Sequence, residues 1–339
     1  MQARNGFVEL YRFIAALGIA LFHYEWVYMG TSCYLGHLYI FVEFFFVLSG
    51  FFLAQNCNKA AAEVSAWEYV GRQIKKLYPL YLLAVISSAW ITGRLMGWGG
   101  ASLPLIIWQD KWEILLSYVF GWGGTVYNNG GASAYVPALL FASLILYELL
   151  RSQKRLFTAV VGPILIVCGY SRILSVCGNL SVWLQFDELI TLGVVRAFAG
   201  MSVGILFSEV VMSALAKGKK PILFAVVAIC TYGCVGLVLY RNYIGYSDLL
   251  FFVLLFALLI TCLSLLRLPP LLNRTCCYLG KLSYPIFLFH YTFLEAMKCF
   301  LPDMPYAKGI LVFLTLLLVC TASLLFLKKG LYSLRNRIA

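Results

Sequence analysis

Charge is what this sequence has least of. Only 12% of its 339 residues are Asp, Glu, Lys or Arg, while 62% are hydrophobic; soluble domains carry about 25% charge. With a mean hydropathy of +0.88, that deficit excludes an ordinary soluble fold. Histidine is scarce too. Three histidines cannot complete many metal sites for eleven cysteines, and no C-x-x-C spacing occurs. Cys230/Cys234 and Cys276/Cys277 stand isolated, so the cysteines read as small apolar packing residues and no metal is expected. The short alternating segments of a closed β-barrel are missing. Internal repeats, paired broken helices and low-complexity tails are missing as well, which weighs against a transporter.

What is present is a series of apolar runs near bilayer length, the pattern of an all-α integral membrane protein. About ten transmembrane helices are expected, at 7–28, 37–54, 77–93, 132–150, 157–177, 188–208, 222–240, 248–266, 282–300 and 307–327, in one membrane-embedded domain over 1–339. The first run carries an internal Arg and Glu, is too long for a cleavable signal peptide and is followed by no small-residue cleavage site. The net charge of +12 needs no nucleic acid. Eighteen Lys and Arg fall in one set of loops and termini and six in the opposite set. Basic residues gather on the cytoplasmic side, so both termini are expected there. The cytoplasmic segment 56–76 is long enough for an interfacial helix and ends in the cluster Arg72, Lys75 and Lys76 before Leu77-Tyr78-Pro79. The longest outer connection, 94–131, is Gly-rich, and residues 90–122 hold Trp90, Trp98, Trp108, Trp112 and Trp122. Interfacial aromatic belts explain much of that enrichment, and a surface for an outward-facing acceptor is the second reading.

Several polar residues lie where a bilayer opposes them. Insertion scales put a central Arg or Asp at about 2.5–3.5 kcal/mol, so such residues usually face a cavity. His23 lies ~8 Å below the outer end of the first span, and Glu43 ~9 Å below the same edge on the returning second span. The two are expected to touch, the carboxylate fixing the tautomer of the imidazole and making it a general base. Arg12, eleven residues before His23, projects from the same helix face about 16 Å lower, where a guanidinium suits an anionic or amide-rich donor. Glu9 is its natural i,i+3 partner. Glu25 projects about 160° from His23 and is left out of the site. Arg196 and His290 are two further intramembrane polar groups. The plain alternative is that Glu9–Arg12 is a packing salt bridge and His23–Glu43 a helix–helix hydrogen bond.

These residues resemble the acyltransferase 3 family of integral membrane acyltransferases. The matching elements are E-x-x-R at Glu9–Arg12, His23 eleven residues on, and V-E-F-F-F-V-L-S-G-F at 42–51. Further on come the basic run from Arg72 to Pro79, R-A-F-A-G-M-S-V-G-I-L at 196–206, and L-G-K-L-S-Y-P-I-F-L-F-H at 279–290. The stretch 135–150 is similar to the W-Y-L-x-A-L-L segment of members linked to polysaccharide modification, with Tyr135 where Trp is usual. The resemblance implies a cytoplasmic acyl-CoA donor, transfer to a sugar hydroxyl on the outer side, His23 as essential base, Glu43 at the usual acidic position and Arg12 as essential partner. The family's cytoplasmic R-x-x-R is replaced here by Gln73 and Lys76, and Lys does not match the bidentate phosphate recognition of Arg.

The expectation is therefore an enzyme of the cell (plasma or inner) membrane, moving an acetyl or other acyl group from acyl-CoA to a glycan or lipid-linked sugar. His23, Glu43 and Arg12 would be catalytic. Arg72, Lys75, Lys76 and Arg12 would bind the donor. Glu9, Ser49, Arg196, Tyr284 and His290 would support the site. No bound cofactor is expected, acetyl-CoA being a co-substrate, and the bilayer, not nucleic acid, is the remaining partner. Two rivals are a transporter for a polar solute or lipid-linked sugar and a non-catalytic partner of polysaccharide assembly.

Overall fold

The computed structural model describes residues 4–30, 34–59, 64–95, 97, 132–182, 186–187, 190–239 and 246–338. Among them the chain is almost wholly helical. Helix α1 (Gly6–His23) runs into a π-helical turn, Tyr24–Met29; α2 is Phe41–Lys59, α3 Ala66–Leu95 and α4 Ala132–Ser152. After Lys154–Leu156 and a π turn comes α5 (Gly162–Cys177), then two short antiparallel strands, β1 (Phe186–Asp187) and β2 (Ile190–Thr191). Helices α6 (Leu192–Leu206), α7 (Lys220–Leu239), α8 (Tyr246–Leu265), α9 (Pro270–Phe300) and α10 (Tyr306–Ile338) complete the order.

The expected spans fall on these helices, though α3 and α9 begin and α10 ends well outside the expected bounds, and among the described residues six stretches are long and apolar enough to cross a bilayer on their own composition. They are Gly6–Met29, Leu38–Lys59, Tyr135–Ser152, Lys154–Cys177, Leu192–Leu215 and Tyr306–Phe326. Lys220–Gly236 and Leu249–Leu265 are shorter apolar helices. Helix α9 falls short because Tyr284, Pro285, His290, Thr292 and Glu295 dilute its apolar face. The span expected from residue 188 begins at Leu192, after the strand pair. The expected interfacial helix is not separate: α3 runs unbroken from Ala66 through Pro79 to Leu95. Of the segment 94–131, Trp98, Trp108, Trp112 and Trp122 lie outside the described residues.

Two close helix pairs set the frame. Helix α1 starts at Asn5, whose side chain accepts from the Phe7 N–H at 3.0 Å and donates to the Leu263 and Leu266 carbonyls; an Asn cap satisfies donors that a helix start otherwise leaves bare. It runs parallel to α9, its most extensive partner. Gly6 lies by Asn273, Glu9 by Gly280 and His23 by His290. A Cβ on Gly280 would overlap Glu9, so glycine is what lets α1 approach there. Helices α2 and α6 form the second pair. Gly50 lies on the Met201 carbonyl and Gly204 on the Val47 carbonyl, the close backbone approach that small residues allow in membranes, where packing rather than hydrophobic burial joins helices.

A side chain at position 204 has no room to relax because it meets backbone. Gly204→Val is expected to destabilise the protein by about 1–3 kcal/mol or more, the scale of overpacking, and to lower the thermal unfolding midpoint in detergent. An unchanged midpoint would contradict this packing.

Candidate active site

His23 is the last residue of α1, at the junction with the π-helical turn, a feature that often marks functional positions. Its imidazole meets His290 of α9, with His290 Nε2 3.1 Å from His23 Nδ1 and ring centroids 4.8 Å apart. The surrounding carbonyls assign the protons. His290 Nδ1 lies 2.7 Å from the Phe287 carbonyl and 3.3 Å from that of Ile286. Carbonyl oxygens only accept, so His290 Nδ1 carries the proton and its Nε2 is the acceptor. His23 Nδ1 also lies 3.0 Å from the Ile19 carbonyl, so it too is protonated and is shared between that carbonyl and His290. Both constraints agree. The lone pair of His23 therefore sits on Nε2, the nitrogen able to take a proton. His290 is fully buried, while His23 is partly exposed.

Glu43 does not hold His23. Its Oε1 accepts from Arg196 Nε in a wholly buried ion pair, and its Oε2 accepts from the Tyr170 hydroxyl at 2.6 Å. The expected His23–Glu43 contact is corrected by the close α2–α6 packing. Glu43, Phe46, Val47 and Gly50 lie on one stripe of α2, and Arg196, Gly200 and Gly204 recur every four residues on α6. Glu43 is turned toward α6, and His290 occupies the place beside His23. A signal for this was legible, since Arg196 stands one turn before a Gly-x-x-x-Gly pair.

Arg12 and Glu9 pair as expected, Arg12 Nη1 donating to both Glu9 oxygens at 3.1 and 3.0 Å. Both line a cavity of about 290 Å³ between α1, α2, α3, α4 and α9. At one end its walls are polar and more exposed: Arg4, Asn56, Gln73 and Lys76. Tyr69 belongs to that end, stacked on Tyr147 at 4.4 Å; burial pushes its hydroxyl up to about 12, against the hydrogen bonds from Asn56 and Gln73, so it faces the cavity uncharged. At the other end the walls are buried and largely aromatic, Phe45, Tyr135 and Phe287, with Ser49 and Ser283 between. Ser49 Oγ donates to the Phe45 carbonyl at 2.7 Å and lies 3.4 Å from the Tyr135 hydroxyl. Tyr284 also lines the cavity and donates to the Leu77 carbonyl at 2.9 Å, tying α9 to α3.

The expected donor cluster divides along α3. Gln73 and Lys76, three residues apart and on one helix face, line the cavity. Arg72 points away and pairs with Glu68 at 2.5 Å on the exposed surface, and Lys75 is exposed and outside the lining. Arg72 and Lys75, expected to bind the donor, thus do not line this cavity. Arg4, 3.9 Å from Glu9, contributes a cation that the sequence reading did not use. Glu25, set aside by its helical angle, is fully buried. It accepts from the Tyr34 and Leu35 N–H groups and from the Tyr306 hydroxyl, holding the turn after α1 to α10. No group of His, Cys, Asp and Glu able to hold a metal occurs among the described residues.

A family model described as an acyltransferase domain matches residues 5–328, nearly the whole chain. No curated protein and no solved structure matches it.

If Glu43 is held by Arg196 and not by His23, its loss is first a stability defect. Glu43→Gln or Arg196→Met alone leaves a buried charge without its counter-ion and is expected to cost about 3–5 kcal/mol. The double variant should cost clearly less than the sum of the two, read as unfolding midpoints in detergent. Additive losses would separate the two groups.

Proposed function

We propose a reaction from one premise: the chain belongs to the acyltransferase family, whose domain covers residues 5–328. An acyl-CoA, acetyl-CoA by the family resemblance, enters the cavity at its polar end. Lys76, Arg12 and Arg4 meet its phosphates and amide-bearing arm, with Gln73 and Tyr69 as neutral hydrogen-bonding groups. The basic loops lie on that side, which makes it the cytoplasmic face. The acceptor is a hydroxyl of a glycan or lipid-linked sugar arriving at His23 from the opposite side. As the hydroxyl oxygen attacks the thioester carbonyl, its proton passes to His23 Nε2. The C–O ester bond forms, the C–S bond breaks, and His23 returns the proton to the departing thiolate to give free coenzyme A. His290 is the positioning residue, since it holds the His23 Nδ1 proton and stabilises the imidazolium. The protein works in the cell membrane.

The observation that carries this reading is the His23–His290 hydrogen bond with both Nδ1 protons tied to backbone carbonyls. A packing histidine pair needs no defined tautomer, whereas a general base requires one.

In membranes supplied with labelled acetyl-CoA, His23→Ala is expected to reduce transfer to surface glycans by about 10²–10⁴-fold, the range of general base catalysis. Acetyl-CoA should still raise its unfolding temperature, because a ligand stabilises the state that binds it. Full transfer by folded His23→Ala would sink the mechanism. His290→Gln can keep a carbonyl oxygen near the His23 Nδ1 proton, so it should retain more activity than His290→Ala. Lys76→Ala should weaken the acetyl-CoA shift without changing the protein's own midpoint. No shift in the unmodified protein at saturating acetyl-CoA would favour transport instead.

A further inference from the structure

The lining of the cavity ends one helical turn short of the histidine pair. Phe287 lines the cavity; His290, three residues and about 4.5 Å further along α9, does not, and neither does His23. Three rings stand at the boundary. The Phe287 ring lies 5.0 Å from Tyr135 at 65°, 5.8 Å from Phe45 at 51° and 6.1 Å from the His290 ring. Tyr135 is braced from behind by Phe46 at 4.8 Å. Phe287 is 4% exposed and Tyr135 6%, so both rings are buried where the cavity lining ends. Pro285 lies two residues before Phe287 inside α9 and removes one backbone donor from the helix ladder there.

We infer that Phe287, closing against Tyr135 and Phe45, is a gate between the donor cavity and the His23–His290 pair. It must swing aside before a thioester can reach His23. The inference rests on the proposed function for what passes the gate, and on geometry alone for the gate itself. A partition at this point has a physical purpose. His23 is partly exposed, so an open route from the cavity would let water reach both the thioester and the base. Acyl-CoA would then be lost to hydrolysis, water replacing the sugar hydroxyl to give free carboxylic acid and coenzyme A, and protons could cross by the imidazoles. Excluding water before the productive complex forms prevents both. Pro285 leaves one rung of the α9 ladder unmade two residues before the ring that has to move.

The test reads access and chemistry separately. The chain has three histidines, His23, His37 and His290, so carbethoxylation by diethyl pyrocarbonate can be mapped to each by mass spectrometry. Phe287→Ala and the milder Phe287→Leu, purified in nanodiscs, are expected to speed modification of His290 by roughly fivefold or more, since local opening governs the exposure of buried groups. His37 should be unchanged. In the same samples, acceptor-free hydrolysis of acetyl-CoA, followed by thiol release, should rise by about tenfold, and adding His23→Ala should abolish the rise. An unchanged rate at His290 in a variant that melts near the unmodified protein overturns the gate. Faster modification of His290 with no consumption of acetyl-CoA upholds the gate and removes acyl-CoA as the donor.

Discussion

The Glu43–Arg196 ion pair, fully buried with Tyr170 on its second oxygen, decides how α2 is turned about its own axis. Charges buried this deeply are tolerated when paired, because the alternative is an uncompensated ion in a low-dielectric interior. The pair would not form without Gly50, Gly200 and Gly204, which bring the backbones of α2 and α6 together. Once that stripe of α2 is committed to α6, its other faces are free to build the cavity wall: Phe45, Leu48, Ser49 and Phe52. One interaction on one side of the helix therefore shapes the cavity on the other.

The α1–α9 seam does the corresponding work for the chemistry. It is parallel, it is opened by Gly280, and it places Glu9 and Arg12 at the cavity and His23 against His290. A histidine pair is a suitable arrangement here. In the proposed reaction, a carboxylate beside His23 would add an anion to a site where a neutral base is needed first and an imidazolium only briefly. His290 accepts the same proton without carrying charge, and its own proton is held by the Phe287 carbonyl. The same residue thus supplies, through its backbone, the proton anchor of the pair and, through its ring, the partition in front of it. In the proposed reaction, chemistry and access are coupled through one turn of α9.

The positions at which the chain departs from the R-x-x-R pattern, Gln73 and Lys76, are the ones that face the cavity, while Arg72 and Lys75 do not. Replacing paired arginines by an amide and an ammonium removes fork-like phosphate contacts. Arg4 and Arg12 supply guanidinium groups from α1 and its approach. The cations lining the cavity therefore come from two elements and not from α3 alone.

Much of the architecture was legible in the residues themselves. Hydropathy gave the helical class and the location of the helices, and the asymmetry of Lys and Arg gave an expected orientation. The 3.6-residue period placed Arg12 and His23 on one expected face and Glu25 on another. Depth along a span was also readable, because rise per residue is fixed. Rotation about each helix axis was not. His23 and Glu43 share a depth, but depth says nothing of which neighbour each side chain faces, and that is set by where glycines allow close approach between segments some 150 or more residues apart. The sequence by itself thus determined which residues are polar within the apolar helices and how far along each helix they lie. Only tertiary packing decided that Glu43 turns to Arg196, that His290 takes its place beside His23, and that an aromatic partition stands before them, because azimuth and long-range contact are properties of the assembled helices and not of any one of them.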